Sequence, residues 1–516
     1  MTNLKQKIPE ILKFLFIIGF IILFAYLSFA RHDALKSYMN DLGAIDQVIW
    51  NTSHGHFFEG SSVMLSQSFD YNYLGAHFGI ILFFLTPFYW IWSSPKMLLL
   101  IQVVAVALGG LPIYWLAKEK LKSGWAGLVF LLGFLLYPAI QNALLYDFHE
   151  VVLAVPLILY AIYFLLKDKR NLFILFAVLA CFCQEQIALI FVMIGLYVIL
   201  VRKQKKFGLI ICGSSLLWFI LLLAVIMPVF SSTGEPELLQ SESGIYFSRY
   251  AWLGDSFPQI IRYIFTNPGE IISHFLQMEK LRYLFYLLMP VFGLAVFSPI
   301  VLIALPIVAI NMLSSIEMPF NLNFYHSAIL TPMIFWAAIV ALKKNFGDNK
   351  KYTAFFLVMV LLASLVTNYL FTLTPWAKDY SGDDFAVTEH SKKIEEIKTI
   401  IPDQASLSVQ HNLGSHFTQR RDIYRFPLAL HQAEYVLLDF TNPYRNNSDQ
   451  YFKFDYAVQL SRDKWVNLTT DVFNNPEYGV RYFQDGYLIF QRGYSRDLND
   501  QVFAEWLKLL AGGERL

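Results

Sequence analysis

Residues 14–30 read "FLFIIGFIILFAYLSFA", and residues 37–59 read "SYMNDLGAIDQVIWNTSHGHFFE". The first stretch and its flanks approach the roughly 20 apolar residues that an α-helix needs to cross a bilayer. The second brings Asp41, Asp46, His54, His56 and Glu59 into the chain directly afterwards. An apolar run of spanning length followed by a dense polar segment reads as a first transmembrane crossing and the loop it delivers. No small-residue cleavage site follows the run, so it reads as a retained helix and not as a signal peptide.

The rest of the chain carries the same signature. Of 516 residues 56% are hydrophobic and 15% charged, with 47 phenylalanines, which places the protein among polytopic membrane proteins. The net charge is +1, and the basic residues lie in short scattered clusters with no basic stripe, so no nucleic-acid partner is expected. Cys181, Cys183 and Cys212 all fall in apolar runs, which argues against a disulfide framework or a paired-cysteine metal site.

The clusters of lysine and arginine report orientation, since short cytoplasmic loops collect them. They are Lys5, Lys7 and Lys13, then "KEKLK" at 118–122, "KDKR" at 167–170, "RKQKK" at 202–206 and "KKNFGDNKK" at 343–351. With all five on the cytoplasmic side, an even number of crossings separates each from the next. Three apolar segments, 14–30, 78–92 and 97–117, lie between the first two clusters. The 78–92 segment contains Pro87 and ends in aromatic residues, so it is assigned to the outer interface, and residues 31–95 become one outer loop. Crossings follow near 97–117, 125–141 and 152–166. A short hairpin over 171–201 has its tip, "QEQ" at 184–186, at membrane depth. After an outward crossing, residues 230–280 form a second long outer loop. Two shorter crossings broken at "FSP" (297–299) and the segments 327–342 and 353–373 bring the total to about eleven. The expected architecture is thus a transmembrane domain over 1–373 and a small extracytoplasmic α/β domain over 374–516. The strand-like runs "AEYVLLDF" and "YGVRYFQDGYLIFQR", the turn "QDG" and the helix-like "HSKKIEEIKTI" mark the latter. The N-terminus is expected in the cytoplasm of a prokaryote, beneath its plasma membrane.

On this topology the polar groups that membrane energetics discourage gather at outer ends, where such a cluster is a candidate site. Asp41 and Asp46 are five residues apart, about 140° around a helix. One can face inward while the other is solvated, and Asp41 after Asn40 also suits a first-turn acid. Asp147, His149 and Glu150 of "YDFHE" offer hard oxygen and nitrogen donors to a divalent ion, Mg or Mn. Gln184 and Glu185 cap the short hairpin, and Tyr325 and His326 open a crossing. No Walker loop, G-x-S-x-G elbow or H-E-x-x-H sequence occurs, so no nucleotide or organic cofactor is expected.

Taken together, "NDLGAIDQVIWNTSHGHFFE", "NYLGAHFGIILFFLTPFYWIW", "LLYDFHEVVLAVPLILYAIYFL", "QEQIAL", "FYHSAILTPMIF" and "SLSVQHNLGSHFTQRRDIYRFP" resemble a family of prokaryotic membrane proteins, domain-of-unknown-function family 2079. That family is similar in plan to the GT-C glycosyltransferases, which include protein mannosyltransferases and aminoarabinose transferases. The resemblance implies a catalytic carboxylate early in the first outer loop, where Asp41 is the matching acid, and a donor sugar carried on a polyprenyl phosphate. It matches His77 to the histidine that opens the interfacial helix of the mannosyltransferases, although the prolines that usually follow are missing. At the hairpin tip Gln184 stands where a lysine is expected in the nearer family.

The function this implies is transfer of a sugar from a polyprenyl-phosphate donor to a glycan, lipid or protein acceptor at the outer face of the membrane, with inversion. Asp41 and Asp46 are the catalytic acids. His77, Gln184, Glu185, Arg249, Arg282, Tyr325 and His326 are the substrate-binding set, with the two arginines as cations for the lipid phosphate. Asp147, His149 and Glu150 are the metal ligands. Two other readings compete: a transporter or flippase for a lipid-linked or small polar substrate, because membrane acids also serve ion coupling, and a non-catalytic envelope assembly protein.

Overall fold

The computed structural model describes residues 2–61, 71–239, 248–430, 432–440 and 462–512. The chain divides into two compact units, the first built from Met1–Arg31, Leu74–Leu85 and Lys96–Phe385, the second from His32–Tyr73, Thr86–Pro95 and Ala386–Leu516.

The first unit is helical. Among the described residues, five helices are long and apolar enough to cross a bilayer: Lys7–Asp33, Pro95–Leu121, Lys205–Phe230, Tyr325–Phe346 and Lys350–Phe371. Gly124–Leu135 and Pro138–Leu145, bent by 44°, make a sixth if the pair is one span. The bend has a local cause. Proline cannot donate an amide hydrogen bond and excludes the preceding residue from helical geometry, and Tyr137 is accordingly extended, with ψ of 123°. Glu150–Leu166, Arg170–Cys181, Ile187–Leu200 and Pro299–Leu313 are shorter apolar helices. The helices Arg170–Cys181 and Ile187–Leu200 flank the polar break at Gln184, Glu185 and Gln186.

Ile187–Leu200 lies tightly against Lys205–Leu221. A Cβ on Gly195 would stand 2.9 Å from the Gly208 carbonyl oxygen and 2.5 Å from Cys212 Sγ, so only glycine permits this approach. The second expected loop contains the helix Phe257–Thr266, which exposes Phe257, Ile261 and Phe265 at i, i+4 and i+8. Such a stripe is the pattern of a helix lying in a membrane interface.

The second unit is α/β. Its five-stranded sheet has the spatial order Ile423–Arg425, Leu407–Val409, Tyr435–Asp439, Tyr487–Arg492 and Tyr478–Gln484. The first three strands are parallel and the last two join antiparallel. The hairpin turns at Asp485 and Gly486, both at positive φ (51° and 85°), the conformation the Asp-Gly pair favours. Alternation along each strand sends Leu407, Val409, Leu437 and Ile489 to one face and Val436, Leu438, Leu488 and Phe490 to the other. The first face is covered by Ile394 and Ile397 and also by Leu35 and Met39, so the start of the first loop is part of this domain's core. Trp465, Phe473 and Trp506 cover the second face.

Candidate functional site

After Leu35 the chain makes a π-helical turn, Met39–Gly43, that runs into the α-helix Ala44–Ser53. Turns of this kind are rare and collect at functional positions. Asp41 sits in the turn and is half-buried, whereas Asp46, in the first turn of the helix, is fully buried. The two acids thus divide as their spacing predicts, one accessible and one inward.

Both oxygens of Asp46 are engaged. The Tyr89 hydroxyl donates to Oδ1 at 2.5 Å, and the Thr418 hydroxyl donates to Oδ2 at 2.7 Å. Burial raises this carboxyl, and the hydrogen bonds from Tyr89 and Thr418 hold it back, leaving it at about 6. Further bonds fix the same helix to the segment 415–425. Gln47 Nε2 donates to Ser61 Oγ and to the Arg421 carbonyl, both at 2.9 Å, while its Oε1 accepts from the Ser61 amide. Buried Arg425 donates to Asn40 Oδ1 at 3.0 Å, beside Asp41. At Gly43 a Cβ would lie 3.2 Å from Thr418 Cγ2, so the helix start is packed directly on that segment. His54 and His56 are exposed.

A second group of polar side chains assembles within the helical unit. Asp147 adopts φ of 112°, a region costly for a residue with a side chain. Gln102 secures both sides of that kink: its Nε2 donates to the Asp147 carbonyl and its Oε1 accepts from the His149 amide, each at 2.9 Å. The kink delivers His149 to the start of the helix Glu150–Leu166, where its ring stacks on Tyr325 at 3.5 Å. Tyr325 in turn stacks on His326 at 4.2 Å. Nδ1 of His326 is buried and finds no hydrogen-bond partner among the described residues. Arg249, His149 and His77 all lie close enough to shape the electrostatic surroundings of His326.

His77 is held from the polar break at Gln184 and Glu185. Its Nδ1 is 3.3 Å from Glu185 Oε1 and 3.3 Å from Gln184 Nε2, while Glu185 Oε2 accepts from the Phe78 amide at 3.2 Å. Glu237 completes this neighbourhood; burial lifts its carboxyl to about 7 against the opposing pull of His77. The recess therefore combines three imidazoles and the 8%-exposed guanidinium of Arg249 with the carboxylates of Glu185 and Glu237. Arg249 and the imidazole N–H groups offer donors to an anion, beside the two carboxylates.

The expected metal trio does not form. Among the described residues no three His, Cys, Asp or Glu side chains are gathered to hold an ion, Asp147, His149 and Glu150 included. The chain passes from positive φ at Asp147 straight into a helix, and the face of the His149 ring stacks on Tyr325. No chemical step is routed through a metal here. Arg282 lines a different cavity, with Glu279, Glu317 and Asp379. Sequence reasoning missed Gln102, Tyr89, Thr418 and Glu237. Of these only Gln102, a lone amide in the apolar run "LLLIQVVAVAL", carries a visible signal.

A family model described as "Predicted membrane protein (DUF2079)" matches residues 31–489. Among solved structures, ArnT from Cupriavidus metallidurans bound to undecaprenyl phosphate is 11% identical, with 92% of this chain and 97% of that one covered at a TM-score of 0.49. The same protein in the apo state is 11% identical, covers 92% and 98%, and has a TM-score of 0.44. No curated protein matches the sequence.

Proposed function

The chain belongs to the DUF2079 family of predicted membrane proteins, and we propose that this member is a membrane glycosyltransferase that moves a sugar from a polyprenyl-phosphate donor to an acceptor hydroxyl at the outer face of the membrane. The observation that carries this reading is the recess of His77, His149, His326 and Arg249 among apolar helices. A lipid phosphate needs both parts of such a place, a hydrocarbon-compatible surround and concentrated donors for its oxygens. The resemblance of the first loop to GT-C enzymes supports the same assignment.

In the proposed reaction Asp41 accepts the proton of the acceptor hydroxyl as its oxygen attacks the anomeric carbon. The bond from that carbon to the phosphate oxygen breaks, and polyprenyl phosphate leaves with the electron pair. Arg249 and the imidazoles of His77, His149 and His326 stabilise the charge that develops on the leaving phosphate. One attack on an activated phosphate donor inverts the anomeric centre, in contrast to the two-carboxylate retaining scheme. Asp46, locked by two hydroxyls, acts as a positioning residue for the helix that follows Asp41. About eleven crossings, with the short hairpins counted, a cytoplasmic N-terminus and an extracytoplasmic α/β domain belong to the same proposal.

The test is release of polyprenyl phosphate by the purified protein in lipid, with a panel of polyprenyl-phosphate sugars and candidate acceptors, compared with Asp41→Asn. Turnover that falls by about 10³-fold in the variant, with the fold retained, is the expected result. Full activity in Asp41→Asn would remove the base assignment. Absence of both turnover and donor binding in folded protein would turn the reading to transport.

A further inference from the structure

The helical unit contains a second cavity that the transfer scheme above leaves unused. It has a volume of about 330 Å³ and lies among residues 279–286, 317–323 and 370–379. Its lining includes the aromatic rings of Tyr286 and Phe371, 4.4 Å apart. Around them stand the carboxylates of Glu279, Glu317 and Asp379 and the guanidinium of Arg282. Asn321 donates to Glu317 Oε1 at 2.9 Å and so orients that carboxylate.

From this geometry we infer that the cavity binds a short, polyhydroxylated, non-anionic saccharide, the acceptor of the transfer; this inference rests on the glycosyltransferase reading only for the word acceptor. Three features select the ligand class. The volume sits at the lower end of small-molecule sites, enough for a few sugar units and too little for a lipid chain. Carboxylates only accept hydrogen bonds, a guanidinium only donates, and amides do both, which together match hydroxyl groups that do both as well. Aromatic faces add apolar contact area for the C–H side of a sugar ring.

Charge excludes the donor end of the reaction. The charged lining comprises three carboxylates and one guanidinium, so a phosphate entering the cavity meets net repulsion. The recess around His326 differs in having three imidazoles and Arg249 beside its two carboxylates. The cavity and the recess are also joined by structure. Tyr283, in the cavity lining, has its hydroxyl 3.1 Å from Ser327 Oγ, next to His326, and accepts from Asn311 Nδ2 at 3.0 Å. The chain that supplies Phe320–Asn323 to the cavity continues directly into Tyr325 and His326.

The test is direct binding to the purified full chain in detergent micelles, read by saturation-transfer NMR and calorimetry, with no donor present. The probes are glucose, maltotriose and chitotriose as neutral saccharides, glucosamine as a cationic one, and glucose 6-phosphate as an anionic one. At least one non-anionic sugar is expected to bind, and glucose 6-phosphate at least tenfold more weakly than glucose itself. Glu317→Gln with Asp379→Asn should weaken the sugar at least tenfold and narrow the discrimination against the phosphorylated one, at an unchanged unfolding temperature. If that double variant does not fold, Glu317→Gln alone must still narrow the discrimination. Binding of none of these sugars, preference for the sugar phosphate, or indifference to the substitutions overturns the assignment. Sugar binding without any release of polyprenyl phosphate would instead defeat the transferase reading and leave the cavity as a saccharide site.

Discussion

Asp46 and Thr418 are separated by 372 positions in the chain and joined by one hydrogen bond, hydroxyl to carboxylate, of 2.7 Å. Both residues are buried. The bond links the helix after Asp41 to the "SHFTQRR" segment of the α/β domain, and with the Tyr89 hydroxyl it completes the solvation that water supplies to an exposed carboxylate.

Thr418→Ala should therefore destabilise the protein by about 1–3 kcal/mol, because it leaves a buried carboxylate oxygen without its donor. Thr418→Ser, which keeps the hydroxyl, should recover most of that loss. Thermal unfolding of the three purified proteins reads this directly. Equal midpoints for the alanine and wild-type proteins would mean that the bond contributes nothing.

The Asp46 carboxyl, raised from 3.8 to about 6, makes stability depend on pH. Between those values the folded state keeps a proton that the unfolded state has released. The favourable contribution is therefore complete below about pH 3.8 and is lost as pH rises through about 6. A separation of this size corresponds to about 3 kcal/mol. Asp46→Asn cannot ionise, so the stability of wild type relative to this variant should decline between pH 4 and 7. A difference that stays level or grows across that window would show that Asp46 titrates at an ordinary value.

How far the sequence reveals this arrangement depends on the range of the interactions. The first apolar helix, the polar break at Gln184–Gln186 and the Asp485–Gly486 turn are written in local pattern: apolar run length, a polar interruption, a turn pair that tolerates positive φ. Helical spacing separates Asp41 from Asp46 so that one can face inward, without saying which. Thr418 and Tyr89 as the partners of Asp46 are not legible at all, because a hydroxyl looks the same in sequence whether it meets solvent or a carboxylate far along the chain. The expected metal trio shows a different limit of local reading. Asp147, His149 and Glu150 are adjacent in sequence, but adjacency says nothing of direction when the backbone turns through positive φ between a clamped carbonyl and a helix start. Gln102, which makes that clamp, explains why an apolar helix carries an amide that would otherwise be costly at that depth.

The anion recess carries the last prediction, which separates binding from chemistry. If His326 and Arg249 meet the lipid phosphate, His326→Gln and Arg249→Ala should each raise the KM for a polyprenyl-phosphate sugar about tenfold, the effect of losing roughly 1.4 kcal/mol of interaction. Arg249→Lys should recover only part of the loss, since a point charge replaces a planar guanidinium that engages two phosphate oxygens at once. Product polyprenyl phosphate should inhibit the wild-type enzyme and inhibit these variants more weakly, while the unphosphorylated polyprenol should not distinguish them. Asp41→Asn should behave in the opposite way, binding polyprenyl phosphate as wild type does while losing turnover. A recess that served only to hold the helices together would give a different pattern: lower unfolding temperatures for the His326 and Arg249 variants, with unchanged KM in whatever protein remains folded. The charge of the ligand is thus what decides the outcome, because packing defects do not discriminate a phosphate from an alcohol on the same chain.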